Sequence, residues 1–370
     1  MEVKMEIQVV SLSETERKPV PTENLGFGAV FSDHLFKQTY TPDKGWHGAT
    51  IGPMEPICLS PAASVFHYAQ EIFEGSKAYR GPDGNINLFR PWENMRRFNA
   101  SARRMAMPEV DEEDHLQAII QLIELDQRWV PAAPAALYIR PAMIATEGAL
   151  GVHASSTYLH FVLIGPVGSY FKEGFNPIPV YISDKYRRAV VGGTGEAKTG
   201  GNYAASLLGA EEARRKGYSQ VLWLDAVTGR NVEEVGAMNI CFVYGDKHIV
   251  TPALSGSILP GVTRKSVIQL GRDLGYEVSE ETIDVHEMLA DVEAGRITEV
   301  FGCGTAAVIA PVGRFGYQDK EYVVNDNQCG PVSRRLYDEL TGIQFGTRPD
   351  PYGWIYTIEV DEPVAAAGVD

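Results

Sequence analysis

Cysteine is scarce in this chain, and the four present, Cys58, Cys241, Cys303 and Cys329, are too scattered to form a CxxC pair or a disulfide framework. They read as reduced cytosolic thiols. The eight histidines show no HxH or HExxH spacing and no clustering with cysteine, so no metal site is expected. No apolar run approaches the roughly 18 residues that a membrane span needs, and the opening MEVKMEIQVVSLSETERK has no apolar stretch of signal-peptide length. A soluble cytoplasmic protein is the expectation. Basic charge is also short: Lys and Arg total 33 against 48 Asp and Glu, for a net charge of −15. A surface so acidic repels nucleic acid and anionic membrane, and neither is an expected partner.

What is present is enough apolar content, 44% of 370 residues, to fill a large core in two domains. Lys77–Arg80 and Ile86–Phe89 flank the turn-forming Gly81-Pro82-Asp83-Gly84-Asn85, which predicts a hairpin. Pro91 opens a helix that carries Met95, Phe98, Ala102 and Met105 at helical spacing. A second amphipathic helix runs from Asp111 to Trp129, its acidic first turn matched to the helix dipole. Short apolar runs around Leu137–Ile144, Tyr158–Ile164 and Pro179–Ile182 read as strands. The second half repeats the mixture, with helices from Tyr203, Thr263 and Val285 between strand candidates. The expected class is α/β (mixed α+β). Gly174, Pro177 and Pro179 mark an interdomain linker at 174–180, between an N-terminal domain at 1–173 and a C-terminal domain at 181–370.

The densest run of special backbone residues is Gly192-Gly193-Thr194-Gly195-Glu196-Ala197-Lys198-Thr199-Gly200-Gly201-Asn202-Tyr203, five glycines around one lysine. Such a loop can press its backbone against a ligand and hold one cation on it, or it can be a surface loop with a solvated lysine. It nearly fits the phosphate-cradling pattern GxxxxGK[ST], with Asp225 at the end of Val221–Leu224 as the magnesium-binding acid. Ala197 stands where that pattern requires glycine.

Eight segments, in order along nearly the whole chain, carry a resemblance. They are FEGSKAYRG, FRPWENMRRF, LYIRPAMIATEGALGV, GPVGSYF, GEAKTGGNYAASL, EEVGAMNICFV, LSGSILPGVTRKSV and FGCGTAAVIAPVG. Together the chain resembles the branched-chain-amino-acid aminotransferase family of fold-type IV pyridoxal-phosphate enzymes. The resemblance implies a smaller α/β N-terminal domain, a larger C-terminal mixed or pseudo-barrel domain that binds pyridoxal 5'-phosphate, and a homodimer.

By that resemblance Lys198 is the Schiff-base lysine and the proton shuttle, and Glu234 is the acidic partner that keeps the pyridine nitrogen protonated, although alone it would read as a solvated acid beside Glu233. Tyr203 matches the tyrosine at the cofactor's 3' oxygen, and Leu259 the residue against its ring. Arg97 matches the phosphate arginine, whose fork of donors suits that anion. Val262 and Thr263, at a helix N-terminus, and Thr305 complete the phosphate cup; Thr263 is equally readable as a plain helix cap. On the substrate side Phe27, Phe73, Tyr138 and Tyr170 match an aromatic pocket for branched side chains, while Tyr68 and the backbone at Ala237 and Ala306 correspond to groups that bind the α-carboxylate. Arg140, two residues from Tyr138 and so on the same strand face, matches the arginine that receives glutamate's second carboxylate. Leu150 and Val152 match a loop that reaches the neighbouring subunit. The chain departs from mammalian members at Ala307 and Ala310, where those carry a CxxC pair, and at Ala237, where some members have threonine.

The implied reaction is ping-pong transfer of an amino group between leucine, isoleucine or valine and 2-oxoglutarate. Rivals on the same fold are a D-amino-acid aminotransferase and an aminodeoxychorismate lyase, against which LYIRP and GALGV speak. The rival from another class is a P-loop nucleotide hydrolase.

Overall fold

Alternation along residues 137–141 organises the first half of the molecule: Leu137 and Ile139 are fully buried, whereas Tyr138 and Arg140 on the opposite face are half-exposed. The computed structural model describes residues 5–168 and 175–360. Tyr170, expected in the aromatic pocket, lies outside them. The chain divides into two compact units, Met1–Tyr170 with Gly342–Asp370, and Phe171–Thr341.

In chain order the strands of the first unit are β1 (Gln8–Val9), β2 (His34–Thr41), β3 (Gly45–Pro53), β4 (Glu71–Phe73), β5 (Ser76–Arg80), β6 (Ile86–Phe89), β7 (Ala136–Ala145) and β8 (Tyr158–Val167). Its helices are α1 (Ser64–Tyr68), α2 (Pro91–Arg104) and α3 (Glu112–Leu125). The second unit holds β9 (Ile178–Ile182), β10 (Gln220–Leu224), β11 (Val232–Val235), β12 (Asn239–Tyr244), β13 (His248–Pro252), β14 (Glu277–Glu281), β15 (Ile297–Gly304), β16 (Val308–Tyr317) and β17 (Lys320–Val323). Its helices are α4 (Gly200–Arg215), α5 (Val262–Asp273), α6 (Val285–Glu293) and α7 (Pro331–Gln344), and the last strand, β18 (Ile355–Ile358), belongs to the first unit. Each unit is built on one nine-stranded sheet, in the order β1-β3-β2-β8-β7-β5-β6-β18 with β4 on β7, and β11-β10-β9-β16-β15-β12-β13-β14 with β17 on β16.

The first sheet is antiparallel except for β1 on β3, and helices cover one of its faces. Leu116, Ile119, Leu122 and Ile123 of α3 enter the core with Ala78, Leu137 and Ile139, and Phe98 and Ala102 of α2 pack with Ile72 and Met143. Asp111 caps α3 by accepting the amides of Glu113 and Asp114, ahead of the expected acidic first turn. The opposite face carries Phe73, Lys77, Tyr138 and Arg140, because side chains alternate along each strand.

Two boundaries differ from the sequence reading. Ile178–Ile182 is a strand hydrogen-bonded to both β10 and β16, so residues 178–180 of the expected linker belong to a sheet. The second unit ends at Thr341, not at the chain end: β18 pairs antiparallel with β6, from Ile355 on Phe89 to Ile358 on Ile86. Without the returning tail β6 would present a bare row of amides and carbonyls. Among the described residues no helix is long and apolar enough to cross a membrane.

Candidate active site

The glycine-rich loop ends at Lys198, directly before α4, and its conformation is fixed from within. Asn202 donates to the carbonyls of Thr194 at 2.7 Å and Ala197 at 2.8 Å, while the Thr194 hydroxyl donates to Asn202 Oδ1 at 2.7 Å. Gly195 is required by a close approach to the chain itself, since a Cβ there would meet the Ser257 carbonyl oxygen at 2.4 Å and Ala189 Cβ at 2.7 Å. Lys198 Nζ donates to Tyr203 Oη at 2.8 Å, so the first turn of α4 holds the lysine's tip. Asp225, the acid of the phosphate-loop alternative, is spent on its own turn: it accepts the amides of Val227, Thr228, Arg230 and Asn231, and the Thr228 hydroxyl. Those bonds hold its carboxyl far below the ordinary range, against the upward push of burial.

Glu234 on β11 is buried, not solvated. Its Oε1 accepts the Leu259 amide at 3.1 Å and Asn239 Nδ2 at 3.4 Å, and its Oε2 lies 2.7 Å from Arg188 Nε in an ion pair that is itself buried. Burial pushes the Glu234 carboxyl up, and the Arg188 charge, the Leu259 amide and the Lys198 charge oppose it. Arg188 is anchored in turn by donating to the carbonyls of Gly195 and Ser257, which ties the lysine loop to the carboxylate. The neighbouring Glu233 accepts the Ser257 hydroxyl, and its carboxyl is also raised by burial.

Asn239 Nδ2 also donates to the Leu259 carbonyl at 3.0 Å, which fixes the approach to α5. A Cβ at Gly261, the residue capping that helix, would lie 2.0 Å from Asn239 Oδ1. Val262 and Thr263 therefore open α5 in a constrained position, where helix amides favour an anion. Gly261, not Thr263, occupies the cap position of α5, so plain N-capping is not the role of Thr263. Thr305 and Ala306 follow β15, whose Cys303 stands opposite Asn239 in register. Ala237 lies in the turn closed by the bridge from Val235 to Met238.

In the first unit Arg97 is gripped by a residue that the sequence reading did not single out. Its Nε and Nη2 donate to the two oxygens of buried Glu74 at 2.6 and 2.9 Å, and Asn94 and the Gly75 amide also donate to Glu74. Such a two-pronged pair sets the plane of the guanidinium. On the opposite sheet face Phe27 meets Tyr138 edge-on at 4.9 Å, Arg140 Nη2 donates to Tyr138 Oη at 3.1 Å, and the Arg140 guanidinium lies 4.8 Å from the Phe73 ring centre. Four of the residues expected on the substrate side thus form one contiguous group. Tyr68 closes α1 and donates to the Leu150 carbonyl; the side chains of Leu150 and of nearby Val152 are exposed.

Gly75 makes this group possible, because a Cβ there would sit 2.0 Å from Tyr138 Oη. Gly75→Ala is expected to displace the phenol and break its bond to Arg140. The cost should be about 1–3 kcal/mol of stability, the range for overpacking. Thermal melting checks it, and an unchanged melting temperature would refute the role of this glycine.

Residues 71–315 match the amino-transferase class IV family. A probable branched-chain-amino-acid aminotransferase of Staphylococcus aureus (strain MRSA252) is 49% identical over 347 residues, 93% of this chain and 96% of that protein. Branched-chain-amino-acid transaminase 1 of Bacillus subtilis (strain 168) is 50% identical with the same coverage. This chain belongs to the branched-chain-amino-acid aminotransferases of class IV. The fold agrees: the branched-chain amino acid aminotransferase from Escherichia coli superimposes with a TM-score of 0.70 at 28% identity, covering 88% of this chain and 98% of that one. As a fold-type IV aminotransferase the chain has its two-unit, two-sheet architecture accounted for. Glu74, Arg188 and Asn239, which orient the expected residues, were missed by the sequence reading. The glutamate of FEGSK offered a signal, since an acid among strand residues must find a partner when buried; Arg188 offered none.

Proposed function

We propose that this aminotransferase moves the amino group of L-leucine, L-isoleucine or L-valine to 2-oxoglutarate in two half-reactions at one site, by a ping-pong course. The observation that carries this reading is the second unit's cluster: the Lys198–Tyr203 pair, with buried Glu234 held by Arg188 and the Leu259 amide. Class IV aminotransferases are pyridoxal-phosphate enzymes, and the donor set suits that cofactor. An amine with a phenol partner, a desolvated carboxylate and a helix N-terminus match its aldehyde, its pyridine nitrogen and its phosphate. When bound, pyridoxal 5'-phosphate supplies an electron sink and a carrier for the amino group.

Lys198 Nζ would hold the cofactor's aldehyde carbon, and the same amine is the group placed to take the proton from the substrate's α-carbon. Tyr203 Oη orients Nζ. Glu234 holds a proton at the pyridine nitrogen, a task for which burial already biases it toward sharing one. Leu259 packs on the ring, and Arg97, the amides of Val262 and Thr263, and Thr305 receive the phosphate. Phe27, Phe73 and Tyr138 accept a branched side chain by apolar burial, with Tyr170 as a further member of the pocket. Arg140 binds the second carboxylate of glutamate. Tyr68 and the backbone at Ala237 and Ala306 bind the α-carboxylate. The exposure of Leu150 and Val152 supports a homodimer in which their loop serves the neighbouring subunit. A cytoplasmic setting suits the free thiols.

Protein loaded with pyridoxal phosphate should be yellow and lose that colour with L-leucine and not with D-alanine, as followed by visible absorption. Borohydride should fix the cofactor's mass to the peptide that carries Lys198. Turnover of D-alanine without L-leucine would overturn the proposal in favour of the D-specific enzyme.

A further inference from the structure

The sheet face that carries Tyr138 and Arg140 also holds Lys77, to which the reaction described above gives no task. Lys77 on β5 stands directly opposite Tyr138 on β7 in the antiparallel register. It points to the same face as Phe73, Tyr138 and Arg140, since Ser76 and Ala78 on either side face the helical core through Ile139 and Leu137. Cross-strand neighbours in such a pair stand about 5 Å apart at Cβ, and diagonal ones about 7–8 Å. Arg140 Nη2 donates to the Tyr138 phenol at 3.1 Å, and Lys77 stands beside the same residue across the strand pair, diagonal to Arg140. Gly75 between Phe73 and Lys77 leaves room for the Tyr138 hydroxyl.

Lys77 is only 8% exposed. Lysine is almost never buried this far without a reason, and its point charge, unlike the arginine fork, can be discharged at low cost. Burial lowers the Lys77 ammonium to about 8. A group so poised shifts toward the neutral amine when an apolar side chain excludes water around it, and toward the ammonium when a carboxylate arrives.

We propose that Lys77 is a specificity-determining residue that works with Arg140 on the distal carboxylate of the acidic substrate. One aromatic pocket thereby accepts both aliphatic and dicarboxylic substrates: Arg140 stays charged and held against aromatic rings, and Lys77 supplies the adjustable second charge. The inference rests on the proposed transamination and deepens it by dividing the recognition of 2-oxoglutarate between two cations.

The test uses the cofactor-loaded enzyme and two probes that lack the amino group: glutarate for the acidic substrate and 4-methylvalerate for the leucine skeleton. Isothermal titration should show Lys77→Met binding glutarate about 30-fold more weakly, the low end for losing one partner of a desolvated charge pair. Its affinity for 4-methylvalerate should stay within about twofold of wild type, and Lys77→Arg should recover most of the glutarate affinity. In the separate half-reactions, Lys77→Met should raise KM for 2-oxoglutarate and leave KM for L-leucine unchanged. Equal losses for both probes, or none for glutarate, would overturn the inference while leaving the transamination intact. A wild-type enzyme that converts neither leucine nor 2-oxoglutarate would remove the functional reading itself, and that outcome is distinguishable because it precedes any variant.

Discussion

Replacing Lys198 by alanine is expected to lower single-turnover transamination of L-leucine by on the order of 10⁴-fold, the upper end of what a positioned proton-transfer group contributes. The fold should survive. The loop's shape is set by Asn202, Thr194 and Gly195, and the bond from the lysine's tip to Tyr203 contributes about 1 kcal/mol net. Lys198→Arg separates the possible causes. Arginine keeps the charge and a donor for Tyr203 but cannot lose its proton, so it should be as inactive as alanine. If the lysine served only as a cation that steadies Glu234, the arginine variant would retain most of the rate. Stopped-flow absorbance with L-leucine, beside melting curves of both variants, decides between the two accounts; a wild-type rate in either variant would refute the role.

That lysine illustrates what a sequence can and cannot disclose. Its loop was visible as an oddity of glycines, yet glycine spacing alone could not tell ligand contact from self-contact, and Gly195 is pressed on the Ser257 backbone of its own chain. The pairing of Tyr138 with Arg140 was legible because a strand has a period of two, and the 3.1 Å bond between them follows from it. Helices α2 and α3 were legible through Pro91, Asp111 and their apolar spacing. What stayed hidden depends on chain segments far apart in sequence. Glu74 meets Arg97 over 23 residues, and Arg188 meets Glu234 over 46. Residues 355–358 pair with residues 86–89, a return for which the local composition of either segment gives no sign.

The buried histidines lead to the second large effect. His115 on α3 and His160 on β8 stack edge-on at 4.7 Å, enclosed by Phe98 and, on the His160 side, by Phe36 and Trp46. Gln38 lies 3.1 Å from His160 Nδ1, whereas both Nε2 atoms are buried without a hydrogen-bond partner among the described residues. Burial lowers His115 to about 4 against the opposing charge of Glu74, and burial with the His115 charge puts His160 well below its ordinary value. The sign follows from proton counting. Below about 6.5 the unfolded chain takes up these protons and the folded chain does not, so stability falls as the solution is acidified. Each histidine removes about 1.4 kcal/mol per pH unit in that range, which comes to about 2 kcal/mol apiece between pH 6.5 and 5. A pair contributing about 4 kcal/mol takes a large share of the 5–15 kcal/mol that holds an ordinary domain together. Buried Glu234 works in the opposite direction, because its raised carboxyl binds protons in the folded state. The informative quantity is therefore the difference in slope between wild type and a variant. Urea unfolding at intervals from pH 7 to 5 should show His115→Phe and His160→Leu each losing stability less steeply than wild type by about 1.4 kcal/mol per pH unit, whatever their absolute stability. Parallel slopes would mean that both rings accept protons in place, and the neutral pair in the core would have to be abandoned.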